Sequence, residues 1–251
     1  MPLADVIVLI LIFFATSFIG VVTGSNSLIS VPAMFQVGVS PKIAVATNMF
    51  ALVFMSVGST IPFLRRRAIP LERVSILLVI TLLASFLGAL LVGLITDQGL
   101  KLVVSIGMIA VAIFILLKRN AGVEKPALIS QRSLTITFIL TFILGVYGGL
   151  YSGGYVTVLT TVLVAFFGMS FSEAVASTKL INVFSSATAA AVFAWQGLVD
   201  YTLGAILGLT MFVAGYLGAH YAARLSDVWL KRVFLSAVFI LAIKTIFDFL
   251  K

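Results

Sequence analysis

The sequence predicts an all-α integral membrane protein of about eight transmembrane segments in two inverted repeats, with broken or re-entrant helices after segments one and five. Composition, the length of the apolar runs and internal repetition carry that expectation. Of 251 residues, 62% are hydrophobic and 10% charged, against about half and a quarter in soluble domains. Mean hydropathy is +1.26. Sixteen basic and eight acidic side chains are too few to clothe a water-facing surface of this size. There is no cysteine and a single histidine, His220, so disulfides, thiolate metal sites and multi-histidine centres are excluded, and with them most enzyme classes. The +8 net charge sits in short loops between apolar runs. That is a topology signal, and no nucleic-acid partner is implied.

A spanning helix needs about 20 apolar residues to cross roughly 30 Å of hydrocarbon. Seven runs qualify: Leu3 to Val22, Ile43 to Leu64, Val74 to Ile95, Leu100 to Leu117, Leu134 to Leu150, Ala174 to Trp195 and Leu203 to Ala223. An eighth, Val228 to Phe249, carries Lys231, Arg232, Lys244 and Asp248 around a shorter apolar centre, so its ends must snorkel. The first run lacks a basic leader and a small-residue cleavage site, and is expected to remain in the membrane. Two stretches fit no plain span. Gly24 to Val37 and Gly148 to Phe167 are apolar but open on small, polar or glycine residues. Broken backbone at membrane depth is tolerated only inside protein or against a water-filled cavity, so both are expected in the interior.

The two stretches also occupy equivalent places, each after an apolar run ending in GxxxG, Gly20 to Gly24 and Gly145 to Gly149. Val45 to Ser56 then resembles Ala176 to Ala187 at an offset of about 131. The expected organisation is a first transmembrane repeat over 1–120, a connecting loop over 121–131 and a second repeat over 132–251. Three loops are basic: Arg65, Arg66, Arg67 and Arg73; Lys118, Arg119, Lys125 and Arg132; Arg224, Lys231 and Arg232. Were all eight segments simple spans, these would fall on opposite sides, against the tendency of Lys and Arg to stay cytoplasmic. They fall on one side if segments one and five each form a hairpin with the broken stretch that follows. Each half then crosses three net times, which inverts the second half against the first.

Lys179 lies about nine residues into a segment that begins near Ser170, close to mid-bilayer at 1.5 Å per residue. A central lysine costs about 2.5–3.5 kcal/mol, so such a residue usually marks a substrate or ion path. The bland alternatives are snorkelling or a pair with Glu173, which lies on a different helical face. No carboxylate occupies the middle of any segment, which favours an anionic substrate over a cation. Half-helices starting at the breaks would aim free N–H groups at such an anion. Ser25, Asn26 and Ser27 stand at the first break, and Ser152, Gly153 and Gly154 at the second. Tight packing through small residues is the alternative for each. Thr47 and Asn48 align with Thr178 and Lys179, and Asn182 follows on the lysine's face, completing a polar cup. Interhelical hydrogen bonding is the alternative for the two asparagines. Thr23 and Gln36 are weaker candidates, His220 reads as interfacial, and Trp195 and Tyr201 as belt residues.

The paired glycine-rich breaks, the proline of SVPAMF (Ser30 to Phe35) and above all ASTKLINVFSS (Ala176 to Ser186) resemble the sulfite exporter TauE/SafE family of membrane permeases over nearly the whole chain. The last passage is similar to the family's Thr-Ser-Lys-Leu-Val-Asn motif with one position permuted. The family's first repeat usually has three glycines before the proline, where Ser25, Asn26 and Ser27 stand here. The resemblance implies transport of sulfite, sulfoacetate or a related organosulfur anion in the bacterial or archaeal cytoplasmic membrane. The expectation is a secondary transporter with partners limited to a small anion, the lipid bilayer and possible further copies of the chain, with no cofactor, no metal site and no catalytic residue. An anion channel and a non-transporting membrane scaffold are the alternatives.

Overall fold

The computed structural model describes residues 1–24, 26–117, 130–226, 228–230, 232 and 236, with side chains except at 108 and 111–117. Among them there is no strand. The helices run α1 (Leu3–Thr23), α2 (Ser27–Gln36), α3 (Pro41–Arg65), α4 (Leu71–Leu94), α5 (Asp97–Leu117), α6 (Gln131–Leu150), α7 (Tyr155–Ala165), α8 (Phe171–Trp195) and α9 (Tyr201–Ala222). Seven of the eight expected segments are therefore helices; most of Val228 to Phe249 and most of the connection at Lys118 to Arg132 lie outside the described residues. Five helices, α1, α3, α4, α6 and α9, are long and apolar enough to cross a membrane. Helix α8 matches α3 in length at 25 residues, but its Ser, Thr, Asn and Lys side chains lower its hydropathy below theirs.

Local chemistry explains the helix limits. At the start of α8, Ser170 Oγ accepts from Glu173 N at 3.2 Å while Ser170 N donates to Glu173 Oε2 at 2.8 Å. This reciprocal cap satisfies two orphan donors and engages Glu173 away from Lys179. Asp200 Oδ1 caps α9 by accepting from Leu203 N at 3.0 Å. Helix α1 ends at Gly24, whose φ of +71° is costly for residues with a Cβ. On α1, Leu9 and Phe13 are buried while Leu3, Ile7, Leu11 and Phe18 are exposed. That places one apolar stripe inward and another where acyl chains would lie.

Every positive-φ residue among those described has a counterpart 130 positions away: Gly24 with Gly154, Gly38 with Gly168, and Arg67 with Gly197. Ser40 and Ser170, both extended, precede α3 and α8 at the same spacing, as Pro70 and Asp200 precede α4 and α9. The backbone register is thus one residue short of the 131 suggested by side-chain similarity. One residue is about 100° around a helix, so Asn48 corresponds to Thr178 and Lys179 to Met49. The GxxxG pairs are not equivalent either, since Gly24 matches Gly154 and not Gly149.

The halves interlock through their last long helices. Helix α4 packs on α6 and α8, and α9 on α1 and α3. A Cβ on Gly88 of α4 would lie 1.9 Å from Val146 O, and one on Gly218 of α9 would lie 2.5 Å from Phe18 O, so only glycine permits either crossing. At one end of the bundle Arg66 donates to Ala223 O at 2.8 Å and Ser133 Oγ to Phe166 O at 2.5 Å. There Arg73 also donates to Phe167 O, its guanidinium 5.0 Å from the Phe167 ring centre. At the other end Asp200 N donates to Thr47 Oγ1 at 3.0 Å and Lys42 Nζ to Gly93 O at 3.5 Å.

Candidate functional site

The two breaks meet. Thr157 Oγ1, in the first turn of α7, donates to Thr23 O at the end of α1 at 2.6 Å, and Tyr151 Oη donates to Ser27 O at 2.9 Å. Gly24 lies so close that a Cβ on it would be 2.7 Å from Thr157 N. Beside this junction α3 and α8 cross, tied by Asn182 Nδ2 donating to Ser56 Oγ at 2.7 Å. A small cavity lies between them. Gly20, Gly24, Asn26 and Ser27 line it from the first break, Ser152 and Val156 from the second, Leu52, Met55, Ser56 and Ser59 from α3, and Lys179 and Asn182 from α8.

Lys179 is 3% exposed. Among the described residues no carboxylate pairs with it; its ammonium donates to Gly20 O at 3.2 Å, leaving two of its three protons without a described acceptor. Gly20 O also accepts from Gly24 N at 2.8 Å, so the lysine rests against the last turn of α1. A buried cation satisfied by a single carbonyl is costly, and an anion in the cavity would offset that cost. About 10 Å³ of the cavity is open to the centre of a water molecule, room for roughly one water. An oxyanion of several heavy atoms therefore enters only if the lining moves.

A family model described as sulfite exporter TauE/SafE matches residues 9–245. The chain belongs to that family. It is 27% identical over 236 residues to "Probable membrane transporter protein ORF9" of Sinorhizobium sp., covering 94% of this chain and 90% of the relative. It is 27% identical over 220 residues to "Probable membrane transporter protein YfcA" of Escherichia coli strain K12, covering 87% and 79%. A "Probable membrane transporter protein" of Haemophilus influenzae is 24% identical over 243 residues, covering 96% and 94%. No solved structure matches. The chain is thus a multi-pass membrane protein of a transporter family, and its relatives are named as transporters, not enzymes.

In this TauE/SafE chain the expected site residues divide into four groups. Lys179, Asn182, Asn26, Ser27 and Ser152 line the cavity. Asn48 stands behind it: its Nδ2 donates to Ser27 Oγ at 3.0 Å and its Oδ1 faces Ser30 Oγ at 2.9 Å. Asn26 is held likewise, donating to Ser17 Oγ at 2.7 Å. Thr47, Thr178, Gly153 and Gly154 are not in the lining. Thr47 Oγ1 receives Asp200 N. Thr178 Oγ1 donates to Val175 O at 2.9 Å and lies 3.4 Å from Thr160 Oγ1, mirroring Asn48 and Ser30 at the 130-residue spacing. Gly153 O accepts from Tyr147 Oη at 2.7 Å, and Gly154 supplies the left-handed turn with φ +77°. Ser25 lies outside the described residues. Sequence reading passed over Ser56 and Ser59, although they follow Asn48 at spacings of eight and eleven, one helical face. Trp195 and Tyr201 are largely exposed, as belt residues are.

Proposed function

We propose that the chain is a secondary transporter of a small sulfur oxyanion, sulfite or an organosulfonate such as sulfoacetate, bound between the two breaks with Lys179 as its charge partner. One observation carries this reading: a buried ammonium with no described counter-ion lines a cavity whose walls come from both interrupted helices. Asn182, Asn26, Ser27 and Ser152 add neutral hydrogen-bonding groups of the kind that dress an oxyanion. Mid-bilayer desolvation strengthens each such contact.

The architecture in this proposal is two repeats, 1–120 and 132–251 joined by 121–131, inverted against each other, with α1–α2 and α6–α7 as re-entrant hairpins. Contacts at the helix ends support it: Ser133 at the start of α6 meets Phe166 at the end of α7, so that pair leaves from the end it entered. Helix α3 ends beside Ala223, whereas its counterpart α8 begins beside Phe167, which Arg73 contacts, so the two run in opposite senses. All the described basic loops then share one face, the cytoplasmic one. Because α4 and α9 are exchanged between the halves, the bodies that rock are α1–α3 with α9 and α6–α8 with α4. They move about the crossing of α3 and α8, which would open the cavity to alternate sides.

The test is flux of radiolabelled sulfite in proteoliposomes. The reading expects saturable uptake, accelerated by unlabelled sulfite on the opposite side, and loss of flux in Lys179→Ala protein that remains folded. Wild-type flux in that variant would remove the lysine from the mechanism, and a non-saturating conductance in planar bilayers would make the protein a channel.

A further inference from the structure

The corner of the bundle where α3 and α9 finish carries a cluster of cations that the anion cavity does not use. Helix α3 runs out through Arg65, Arg66 and Arg67, and Arg224 follows α9; all four are exposed. Arg65 donates to Tyr216 Oη at 3.5 Å and Arg66 to Ala223 O at 2.8 Å, so the end of α3 leans on the end of α9. Both acceptors are neutral oxygens, and none of the four arginines meets a carboxylate among the described residues. Arg67 holds the left-handed turn that closes α3, with its N donating to Leu64 O and Ala68 N to Phe63 O, each at 3.0 Å. Gly197 closes α8 at the equivalent place. A third cation is thus kept at a position where glycine avoids the strain.

The tendency of Lys and Arg to stay cytoplasmic explains cations on this face, but not their gathering at one corner. Where α4, α6 and α8 begin, on the same face, the charges are mixed: Glu72, Arg73, Arg132 and Glu173. There Arg73 is engaged by the carbonyl and ring of Phe167, and Glu173 by its helix cap. Aromatic and apolar groups also mark the corner of α3 and α9. The Tyr216 ring stacks 6.4 Å from His220, and His220 meets Tyr221 edge-on at 5.9 Å. Val213, Leu217 and Tyr221, spaced by four on α9, are 50%, 38% and 59% exposed. One face of α9 is therefore an apolar stripe that runs up to Arg224, three residues past Tyr221.

We propose that this corner binds the headgroup of an anionic phospholipid. Planar guanidinium groups fork onto phosphate oxygens, and basic recesses between membrane helices at the cytoplasmic face suit acidic headgroups. Arg65, Arg67 and Arg224 supply the charge, while Arg66 holds α3 against α9. An acyl chain would lie along Val213, Leu217 and Tyr221, with the aromatic rings at headgroup depth. A free phosphate ion would satisfy the arginines and leave that stripe unused, so the lipid is the occupant. Bound there, it staples the ends of two helices of one moving body, and none of its contacts lines the anion cavity. The site does not depend on anion transport; only its place on the cytoplasmic face rests on the inverted-repeat arrangement.

The experiment is thermal unfolding of the purified chain in a neutral detergent, followed by tryptophan emission. Phosphatidylglycerol, phosphatidylcholine with the same acyl chains, or inorganic phosphate is added at equal concentration. Phosphatidylglycerol is expected to raise the midpoint by about 3 °C over phosphatidylcholine, with inorganic phosphate leaving it unmoved. The rise should be lost when Arg65→Gln and Arg224→Gln are combined. It should persist in Arg132→Gln, at the other corner of the same face, and in Lys179→Ala. Equal midpoints of the wild-type protein in the two lipids would overturn the proposal, whether or not a variant folds. So would a rise that survives the paired substitution, one that Arg132→Gln removes as fully, or an equal rise with inorganic phosphate, which would give the arginines to a free ion. Absence of sulfite flux in wild-type protein that keeps the lipid rise would count against the anion reading alone.

Discussion

Gly24→Ala tests the meeting of the two breaks, with Gly38→Ala as its control. Both glycines hold positive φ, +71° and +85°, so each alanine incurs left-handed backbone strain of about 1–2 kcal/mol. At Gly38 nothing lies within 4 Å of the added Cβ, and strain is the whole cost. At Gly24 the methyl would sit 2.7 Å from Thr157 N and 2.8 Å from Val156 Cβ, a clash with backbone that no rotamer change relieves. The start of α7 must retreat, at about 1–3 kcal/mol for overpacking and about 1 kcal/mol for the bond from Thr157 Oγ1 to Thr23 O. The sum is about 3–6 kcal/mol. With roughly 2–4 °C per kcal/mol for a chain of this size, Gly38→Ala lowers the unfolding midpoint by about 2–8 °C, and Gly24→Ala by at least twice as much. Equal losses in the two variants would refute the packing of Gly24 on α7.

Tyr151→Phe removes the hydroxyl that reaches Ser27 O; it should cost about 1 kcal/mol of stability and weaken sulfite binding several-fold in a titration of the folded protein. Asn182→Leu strands the buried Ser56 hydroxyl at the crossing of α3 and α8, at about 1–3 kcal/mol, and flux should fall further than stability does. Arg67 holds φ +53° where its counterpart is Gly197, so Arg67→Gly should leave stability unchanged or raise it by about 1 kcal/mol in a denaturant titration.

Long apolar runs were legible because bilayer thickness sets their length, and seven of them became helices. The breaks were legible because small and polar residues interrupt apolar runs for few other reasons, and both fall where helices end, at Gly24 and at Tyr151 to Gly154. Lys179 stood out through its cost. Register was not legible. Matching Asn48 to Lys179 favours chemical likeness, whereas the backbone pairs them one residue apart, and that slip turned Thr47 and Thr178 away from the cavity. Ser56 and Ser59 were hidden because mid-helix serines commonly bond their own turn, as Ser59 Oγ does with Ser56 O at 3.2 Å. Close glycine crossings such as Gly88 on Val146 depend on which helices neighbour each other, information no local pattern holds.

The central claim is that the Lys179 ammonium holds the transported anion, and ligand-dependent stability measures it most directly. Purified wild-type, Lys179→Met and Lys179→Arg proteins would be heated with increasing sulfite or sulfoacetate at constant ionic strength. The midpoint should climb with anion concentration in the wild type, as selective binding to the folded state requires, climb less in Lys179→Arg and stay flat in Lys179→Met. An unchanged climb in Lys179→Met would contradict that claim.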